Sequence, residues 1–493
     1  MPVAKIRSKT SILLSAGALA LASCTIGGPV ASTGTPVTDT ERQQGAAADP
    51  QIVAEFGGAM TGPQADYVTS VGRNIAFQSG LENSPSAFKV TLLNSSVNNA
   101  FAIPGGFVYV TRQLTALMNN EAELAAVLGH EVGHVAARHS AKREQKASQN
   151  ALLGVLGQVL SGVIFGDSSI GRAGQQLAST ASQLATLKYS RAQELEADGL
   201  GVQYLKSAGY DPHAMASLLA SLAAQNSLDA QLQGRDARMP EWASTHPDPA
   251  SRVQNATQLA GANSAGTLNR DTFLTRIDGI LYGDDPHQGV IEGQEFIHPD
   301  FRLSFSAPQG YYMVNGAAAV SISGNTGQAQ LASASYSGNL ENYVRSVFQS
   351  LGGSEQTLAP QSLQRTTING LPAVSGTARV TSNGSQVDVV VYAYEFARDK
   401  AFHFAAIAPA GQAGVFNSMF NSMRRISASE AAAVTPRRVQ VVTVRSGDTV
   451  ASLASRMAYA DQKEARFRVL NGLSSGQALQ AGQKVKLIVR ATS

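Results

Sequence analysis

The sequence has one cysteine, a charge balance near neutrality and no long hydrophobic run. Cys24 is the only cysteine among 493 residues, so no disulfide can form within the chain. The net charge of +3 gives no overall argument for nucleic acid as a partner. Two apolar stretches, residues 12–22 and 151–165, are short for a membrane-spanning helix. The composition is otherwise that of a globular protein, and the length indicates about two to four domains.

The beginning of the chain indicates export and lipid anchoring. A positively charged start precedes residues 12–22, which have the length of a signal-peptide core. The following Leu21-Ala-Ser-Cys24 resembles the lipobox of bacterial lipoproteins, which implies removal of residues 1–23 and acylation of Cys24. Several acyl chains on one residue give stable anchoring to a membrane. The residue that follows Cys24 is Thr25 rather than Asp, which in a proteobacterial lipoprotein implies the periplasmic face of the outer membrane.

Two further segments outside the motifs carry expectations. Residues 24–50 contain mainly Gly, Thr, Pro, Ala and Gln, which predicts a flexible tether. The apolar residues 151–165 carry Gln158 and Ser161 and contain several glycines. Two interpretations of them stay open: a packed helix, or a mobile element over a cleft that contacts membrane.

The pentapeptide His130-Glu-Val-Gly-His134 is the most informative pattern in the chain. On an α-helix its two histidines lie on one face, so both can bind one metal ion, with Glu131 aimed at a water on that metal. The preceding residues are rich in Ala, Leu and Glu, which favours a helix, and Asn119 and Asn120 are candidate N-caps. Two ligands, a general base and an open position are the arrangement of zinc hydrolases.

A catalytic zinc needs a third protein ligand, and a second helical stretch offers one. Glu194 and Asp198 lie about one turn apart on the same face of that predicted helix. Glu194 is the candidate ligand, whereas Asp198 is placed to accept a hydrogen bond from the far nitrogen of a ligand histidine. Glu196 points to another face and is expected in solvent.

Four segments in order resemble peptidase family M48, the zinc endopeptidases of the gluzincin type. They are residues 99–111, 124–139, 190–198 and 244–252, within a similarity running from Val53 to Leu259. The resemblance implies one Zn²⁺ per chain, bound by His130, His134 and Glu194, with Glu131 as the base. It also implies a mainly helical, zincin-type metalloprotease domain with a small edge sheet, which we place at residues 51–262.

His246, in the His-Pro pair at the end of this region, is the remaining catalytic candidate because the resemblance places it near the metal. Two roles stay open for it: a donor to the developing oxyanion, or a fourth zinc ligand that keeps the enzyme latent. Arg252 and Arg191 are expected to pair with carboxylates of the site, or to form surface salt bridges of small energy.

A substrate-binding edge is expected just before the metal helix. Residues 108–111 have the pattern of an edge strand, and residues 104–106 that of a turn. An extended peptide can add to such an edge through backbone hydrogen bonds, with little dependence on sequence. The expected substrate-binding residues are Ala102, Ile103, Pro104, Gly105 and Gly106. The alternative is a hairpin that belongs to the core.

The pattern changes after residue 262. Residues 263–295 are predicted to be a linker. Residues 296–428 alternate apolar and polar side chains in several segments, with helices expected at 340–351 and 413–425. They predict a small α+β domain with an antiparallel sheet, acting as a binding or spacer module.

The last segment, residues 436–490, resembles a LysM module. The segments that carry the resemblance are residues 442–454, 469–473 and 479–488, in the order strand, helix, turn and closing strand. It implies a βααβ fold and peptidoglycan as the partner of residues 441–488. From Pro436 onward the chain has ten Lys and Arg against three Asp and Glu, which suits an anionic cell wall or a solvated basic face.

Together these expectations describe a lipid-anchored zinc metalloendopeptidase of the cell envelope with an α+β architecture. Its expected substrates are misfolded or unassembled envelope proteins, cleaved by a zinc-bound water that Glu131 activates. Two alternatives are an envelope assembly factor or chaperone whose protease site is kept latent by His246, and a wall-binding scaffold with an idle site.

Overall fold

The computed structural model describes residues 36–139, 189–233, 246, 249–352, 358–382 and 385–490. Cys24, the expected signal peptide and residues 151–165 lie outside these ranges. Within them, no helix combines the length and the apolar run that crossing a bilayer requires. The described chain mixes helices with mostly antiparallel sheets, which confirms the predicted α+β class.

The N-terminal part is mainly helical and contains one three-stranded sheet. Its elements in chain order are α1 (Asp39–Glu55), α2 (Pro63–Phe77), β1 (Lys89–Leu93), β2 (Ala100–Ile103), β3 (Phe107–Thr111), α3 (Arg112–Leu117), α4 (Glu121–Ala136), α5 (Arg191–Ser207), α6 (Ala214–Gln233), α7 (Pro249–Ala260), α8 (Arg270–Ile277) and β4 (Leu281–Tyr282).

The edge of the small sheet is not where the sequence pattern placed it. Strand β3 is central, with β1 parallel on one side and β2 antiparallel on the other. The prediction of an edge strand at residues 108–111 is therefore wrong, because a distant segment, β1, pairs with that side of β3. The two outer strands are β1 and β2. Strand β2 contains Ala102 and Ile103, and residues 104–106 form the turn between β2 and β3.

Helix α1 occupies residues for which we predicted a tether. The Thr38 hydroxyl accepts a hydrogen bond from the Glu41 backbone N–H, and the Glu41 carboxylate accepts one from the Thr38 N–H, which makes a capping box. Asp49 accepts a hydrogen bond from the Tyr109 hydroxyl at 2.8 Å, and Ile52 is buried against the sheet. The tether prediction is wrong for this helical part, because a cap and a few long-range contacts hold it rather than a high apolar content.

The middle of the chain forms two antiparallel sheets. Its elements are β5 (Val290–Glu292), β6 (Glu295–His298), β7 (Leu303–Ser306), β8 (Tyr312–Asn315), β9 (Val320–Ser323), β10 (Gln328–Ser333), α9 (Leu340–Gly352), β11 (Leu363–Ile368), β12 (Leu371–Ser382), β13 (Ser385–Ala397), β14 (Lys400–Pro409), α10 (Asn417–Ser422), β15 (Arg424–Arg425) and α11 (Ala428–Ala433).

The larger of these sheets has seven strands in the order β11-β12-β13-β14-β10-β9-β8, and the smaller has four in the order β15-β7-β6-β5. Alternate residues of β13 enter different cores: Val389 and Val391 pack with α9, whereas Val390 packs on the opposite side. The helix predicted at 413–425 is shorter, because the chain becomes extended at Met423 and β15 then pairs with β7.

The C-terminal module consists of β16 (Arg437–Thr443), α12 (Val450–Ala454), α13 (Lys463–Leu470) and β17 (Lys484–Arg490), the predicted βααβ order. Strand β16 pairs with β17 and also with β4 from the segment that we predicted to be a linker. The linker prediction is wrong, because α8 buries Phe273, Leu274 and Ile277 in the core of the helical part.

Candidate active site

Helix α4 positions the His-Glu-Val-Gly-His sequence in the interior. Its N-cap is Asn120, whose side chain accepts a hydrogen bond from the Glu123 backbone N–H at 2.9 Å. His130 and His134 follow one turn apart and are almost completely buried. Their Nε2 atoms lie 3.0 Å from each other, so both rings face the same point.

Helix α5 brings Glu194 to that point. It begins with a capping box between Ser190 and Gln193, so that Glu194 lies in its first turn. Glycines allow α4 and α5 to approach closely: a Cβ on Gly133 would lie 3.1 Å from a backbone oxygen of α5. The Glu194 carboxylate oxygens consequently lie 3.6 Å from Nε2 of His130 and 3.6 Å from Nε2 of His134.

His246 completes a cluster of four potential metal ligands. Its Nδ1 lies 3.2 Å from Nε2 of His130 and 3.1 Å from Oε1 of Glu194. Its Nε2 lies 3.5 Å from Oε1 of Glu131, so the same ring also contacts the candidate base. All four potential ligand groups are buried, with their ligand atoms within 4.8 Å of one another.

The cluster fits a tetrahedral zinc ion. Zinc–nitrogen and zinc–carboxylate distances near 2.0–2.1 Å give tetrahedron edges of about 3.3 Å. Five of the six pairs of groups have donor atoms 3.0 to 3.6 Å apart. The pKa of His134 is well below its usual value, first because the ring is buried and then because the neighbouring histidines disfavour another positive charge. A neutral imidazole is the form that binds a metal.

A second layer of charged groups orients the ligands. Asp198 accepts from Nδ1 of His130 at 2.9 Å, so that Nε2 of that ring faces the other three candidate ligands. Arg252 donates to both oxygens of Asp198, at 2.5 and 2.7 Å, and to Glu194 at 2.5 Å. Burial raises the pKa of Asp198, but hydrogen bonds from Arg252 and His130 outweigh it and lower that pKa to about 2.

Glu194 is held as a carboxylate by the same neighbours. Burial by itself raises its pKa, yet His246, His130 and Arg252 together lower it below the usual value. Arg191, the other predicted partner, is exposed, and within the described residues no ion pair joins it to a carboxylate of the site. The expectation that Arg191 serves the site is therefore not met.

His139 orients His134, a contact that the sequence alone did not predict. Nδ1 of His134 lies 2.8 Å from Nδ1 of His139, and Nε2 of His139 lies 3.1 Å from the carboxylate of Glu196. Glu196 is therefore not a purely solvated side chain, although it is 40% exposed. The ring of Tyr189 stacks on His134 with centroids 3.7 Å apart. The available signal was a histidine shortly after the metal helix and a glutamate two residues beyond a ligand.

Comparison with known proteins agrees with this geometry. The profile of Peptidase family M48 matches residues 63–260, and that of the LysM domain matches residues 442–487. Residues 63–260 are thus a peptidase family M48 domain. The resemblance to M48 peptidases and to LysM modules is confirmed.

Several relatives share mainly the M48 domain. The Beta-barrel assembly-enhancing protease of Yersinia pestis is 32% identical over 197 residues, which cover 39% of this chain and 38% of that protein. The Mitochondrial metalloendopeptidase OMA1 of Arabidopsis thaliana is 34% identical over 198 residues, covering 40% of this chain and 36% of that protein. The one from Schizosaccharomyces pombe is 28% identical over 220 residues, covering 44% and 60%. The chain therefore spans less than two thirds of the length of each of these relatives.

The M48 domain presents β2 beside the metal helix. Ala102 packs in the same core as α4, whereas Ile103 packs on the α1 side of the sheet. Helix α1 supports the adjoining turn, since a Cβ on Gly105 would lie 2.5 Å from the carbonyl oxygen of Glu41. Among the described residues β2 pairs with no strand other than β3, so it is an edge strand of this sheet.

Proposed function

We propose that the protein is a zinc-dependent metalloendopeptidase of the cell envelope. The observation that carries this proposal is the buried set His130, His134, Glu194 and His246, whose donor atoms are spaced for a tetrahedral metal inside an M48 domain. The names of the relatives, a protease and metalloendopeptidases, support the same activity.

The residues of this chain divide the work of peptide hydrolysis. Bound zinc would supply a Lewis acid that polarises a carbonyl and makes a water molecule more acidic. Glu131 is 2% exposed and lies beside the donor cluster, where it can take the proton of the attacking water and pass it to the leaving amine. Asp198 and His139 keep the ligand imidazoles of His130 and His134 in the required orientation.

The test of this activity is cleavage of unfolded casein by the zinc-loaded protein. Glu131→Gln keeps the shape of the side chain but removes the base, so casein cleavage is expected to fall by about 100-fold or more. Zinc content should remain that of the wild type, because Glu131 is not one of the four donors. Equal rates for Glu131→Gln and wild type would rule out the peptidase mechanism.

His246 has a geometry that favours a latent resting state. Its Nδ1 lies 3.2 Å from Nε2 of His130 and 3.1 Å from Oε1 of Glu194. As a fourth ligand it would take the position that a catalytic site leaves open for water and substrate. This observation supports the alternative function, an envelope assembly factor or chaperone whose peptidase is normally shut. In that case His246 must move away from the metal before a substrate binds.

Replacing His246 separates latency from direct catalysis. If its role is to close the site, His246→Ala is expected to cleave casein faster than the wild type. If it donates to the oxyanion, the same variant should lose activity by about 100-fold. The matched control is His213→Ala, since His213 is paired with Asp211 at 2.9 Å outside the donor cluster.

The proposed substrates are misfolded or unassembled envelope proteins. Such chains expose extended segments, and the outer edge of β2 can bind them through backbone hydrogen bonds. The relative from Yersinia pestis is named for enhancing the assembly of β-barrels, which supports a role at the envelope. Trapping on Glu131→Gln in cells, followed by mass spectrometry, identifies the substrates; a trap with folded cytoplasmic proteins alone would contradict this proposal.

Two attachments to the envelope complete the proposal. Acylated Cys24 would anchor the chain at the periplasmic face of the outer membrane, and the LysM domain at residues 442–487 would bind peptidoglycan. Cys24→Ala should release the protein from the membrane fraction, and the wild type should sediment with purified peptidoglycan. A Cys24→Ala protein that remains in the membrane without lipid would contradict the anchor.

A further inference from the structure

The LysM domain inserts a lysine into the interior of the molecule. Lys486 in β17 has an exposed fraction of 0%. Its ammonium group donates to the carbonyl oxygens of Ala116 at 2.8 Å, Leu117 at 3.1 Å and Met118 at 2.6 Å. These carbonyls lie at the C-terminal end of α3, where backbone oxygens lack helical partners and a cation is favoured. Three acceptors match the three N–H bonds of an ammonium group.

A neighbouring set of contacts holds the beginning of the metal helix. The carboxylate of Glu123, in the first turn of α4, accepts from the Asn119 backbone N–H and from the Ser217 hydroxyl, both at 2.7 Å. Burial lowers the pKa of Lys486 to about 7, although the nearby Glu123 carboxylate raises it. The carbonyls that Lys486 binds directly precede Asn119 and Asn120, which hold the first turn of α4, the helix that carries His130 and Glu131.

Lys486 is itself held rigidly within its module. The Asn471 side chain accepts from the Lys486 backbone N–H at 2.7 Å and donates to its carbonyl at 2.9 Å. Next to it, Val485 and Leu487 belong to the same continuous hydrophobic core as Leu124 and Leu128 of α4. The LysM domain is therefore packed onto the M48 domain as part of one core.

We propose that Lys486 is a positioning residue for the peptidase site, and that the LysM domain is thereby a required part of the catalytic unit in addition to its proposed binding of peptidoglycan. The proposal rests on the peptidase function proposed above. Without the ammonium group, three buried carbonyls lose their charged hydrogen-bond donor. The turn between α3 and α4 then loses its fixed position, and α4 transmits that change to the ligands because a helix moves as a rigid rod.

The test compares Lys486→Met with the wild type in three measurements on the full chain. We expect kcat on a casein-derived peptide to fall by at least about tenfold with KM within about twofold, because the catalytic groups shift while the β2 edge remains. Zinc should bind at least about tenfold more weakly in a chelator competition. Amide hydrogen exchange should accelerate in residues 116–130 and stay unchanged in residues 363–409 of the middle sheets.

The matched control is Lys206→Met, because the Lys206 ammonium also donates to a backbone carbonyl, at 2.9 Å, but is exposed. It should leave all three measurements within about twofold of the wild type. If Lys486→Met does not fold, Lys486→Gln, which keeps an N–H donor, takes its place. Wild-type kcat, zinc binding and exchange in the folded variant would overturn the proposal. Zinc binding and exchange test it even if the wild type cleaves no peptide, an outcome that would end only the proposed function.

Discussion

Replacing Arg252 by methionine is expected to destabilise the metal-free protein by about 3–5 kcal/mol, the usual cost of removing one partner of a buried ion pair. The guanidinium is 1% exposed and donates hydrogen bonds to two carboxylates, two to Asp198 and one to Glu194, whose side chains are both 0% exposed. Methionine fills similar volume, so the loss comes from two buried carboxylates that lose their counter-charge rather than from a cavity.

Urea denaturation in the presence of a chelator, followed by far-ultraviolet circular dichroism, measures this loss without the contribution of bound zinc. Arg191→Met is the matched control, since that arginine is exposed on α5, and its free energy of unfolding should change by less than about 0.5 kcal/mol. Adding Asp198→Asn to Arg252→Met should recover part of the loss, because one uncompensated charge disappears. A loss below about 1 kcal/mol, equal to that of the control, would refute the buried ion-pair network.

Three further predictions concern the ligand shell and the middle sheets. Asp198→Asn should weaken zinc binding about 10–100-fold in a chelator competition, because His130 loses its orienting carboxylate. His139→Phe should also weaken zinc binding, and more than Glu196→Gln, because Glu196 is 40% exposed and can be replaced by water; equal zinc affinities for wild type and His139→Phe would contradict the orienting role. Burial lowers the pKa of His403 from 6.5 to about 4. On acidification the unfolded chain therefore binds the proton first, and the free energy of unfolding falls between those two pH values by up to about 3 kcal/mol. His403→Gln should flatten this part of a stability curve measured between pH 7 and 4.5, and an unchanged slope would show that His403 is not responsible.

The parts of the site that follow from the sequence are those set by local geometry. The spacing of His130 and His134, and of Glu194 and Asp198, is that of one helical turn, and each helix begins at a recognisable cap. The prediction that the two helices meet came from the resemblance to a family and from the number of ligands that zinc needs, not from periodicity.

The parts that the sequence did not predict depend on contacts between distant segments. Lys486 lies in an alternating strand, where a lysine normally faces solvent, and nothing local indicates the three carbonyls that surround it. Strand β3 is central rather than an edge strand, because the distant β1 pairs with it in parallel. His139, which follows α4, contacts Glu196 of α5. Helix α1 has few apolar residues, so its cap and its contact with Tyr109 could not be read as a packed element.

Zinc stoichiometry decides whether α4, α5 and His246 form a metal centre. It is measured by elemental analysis of the full chain after removal of loosely bound metal. We expect about one zinc per chain in the wild type and in Glu341→Ala, a control in the middle sheet domain, and about tenfold weaker zinc retention in Glu194→Ala, which removes one of the donors. A wild-type chain without zinc, or Glu194→Ala with full zinc retention, would contradict a metal centre built from α4, α5 and His246.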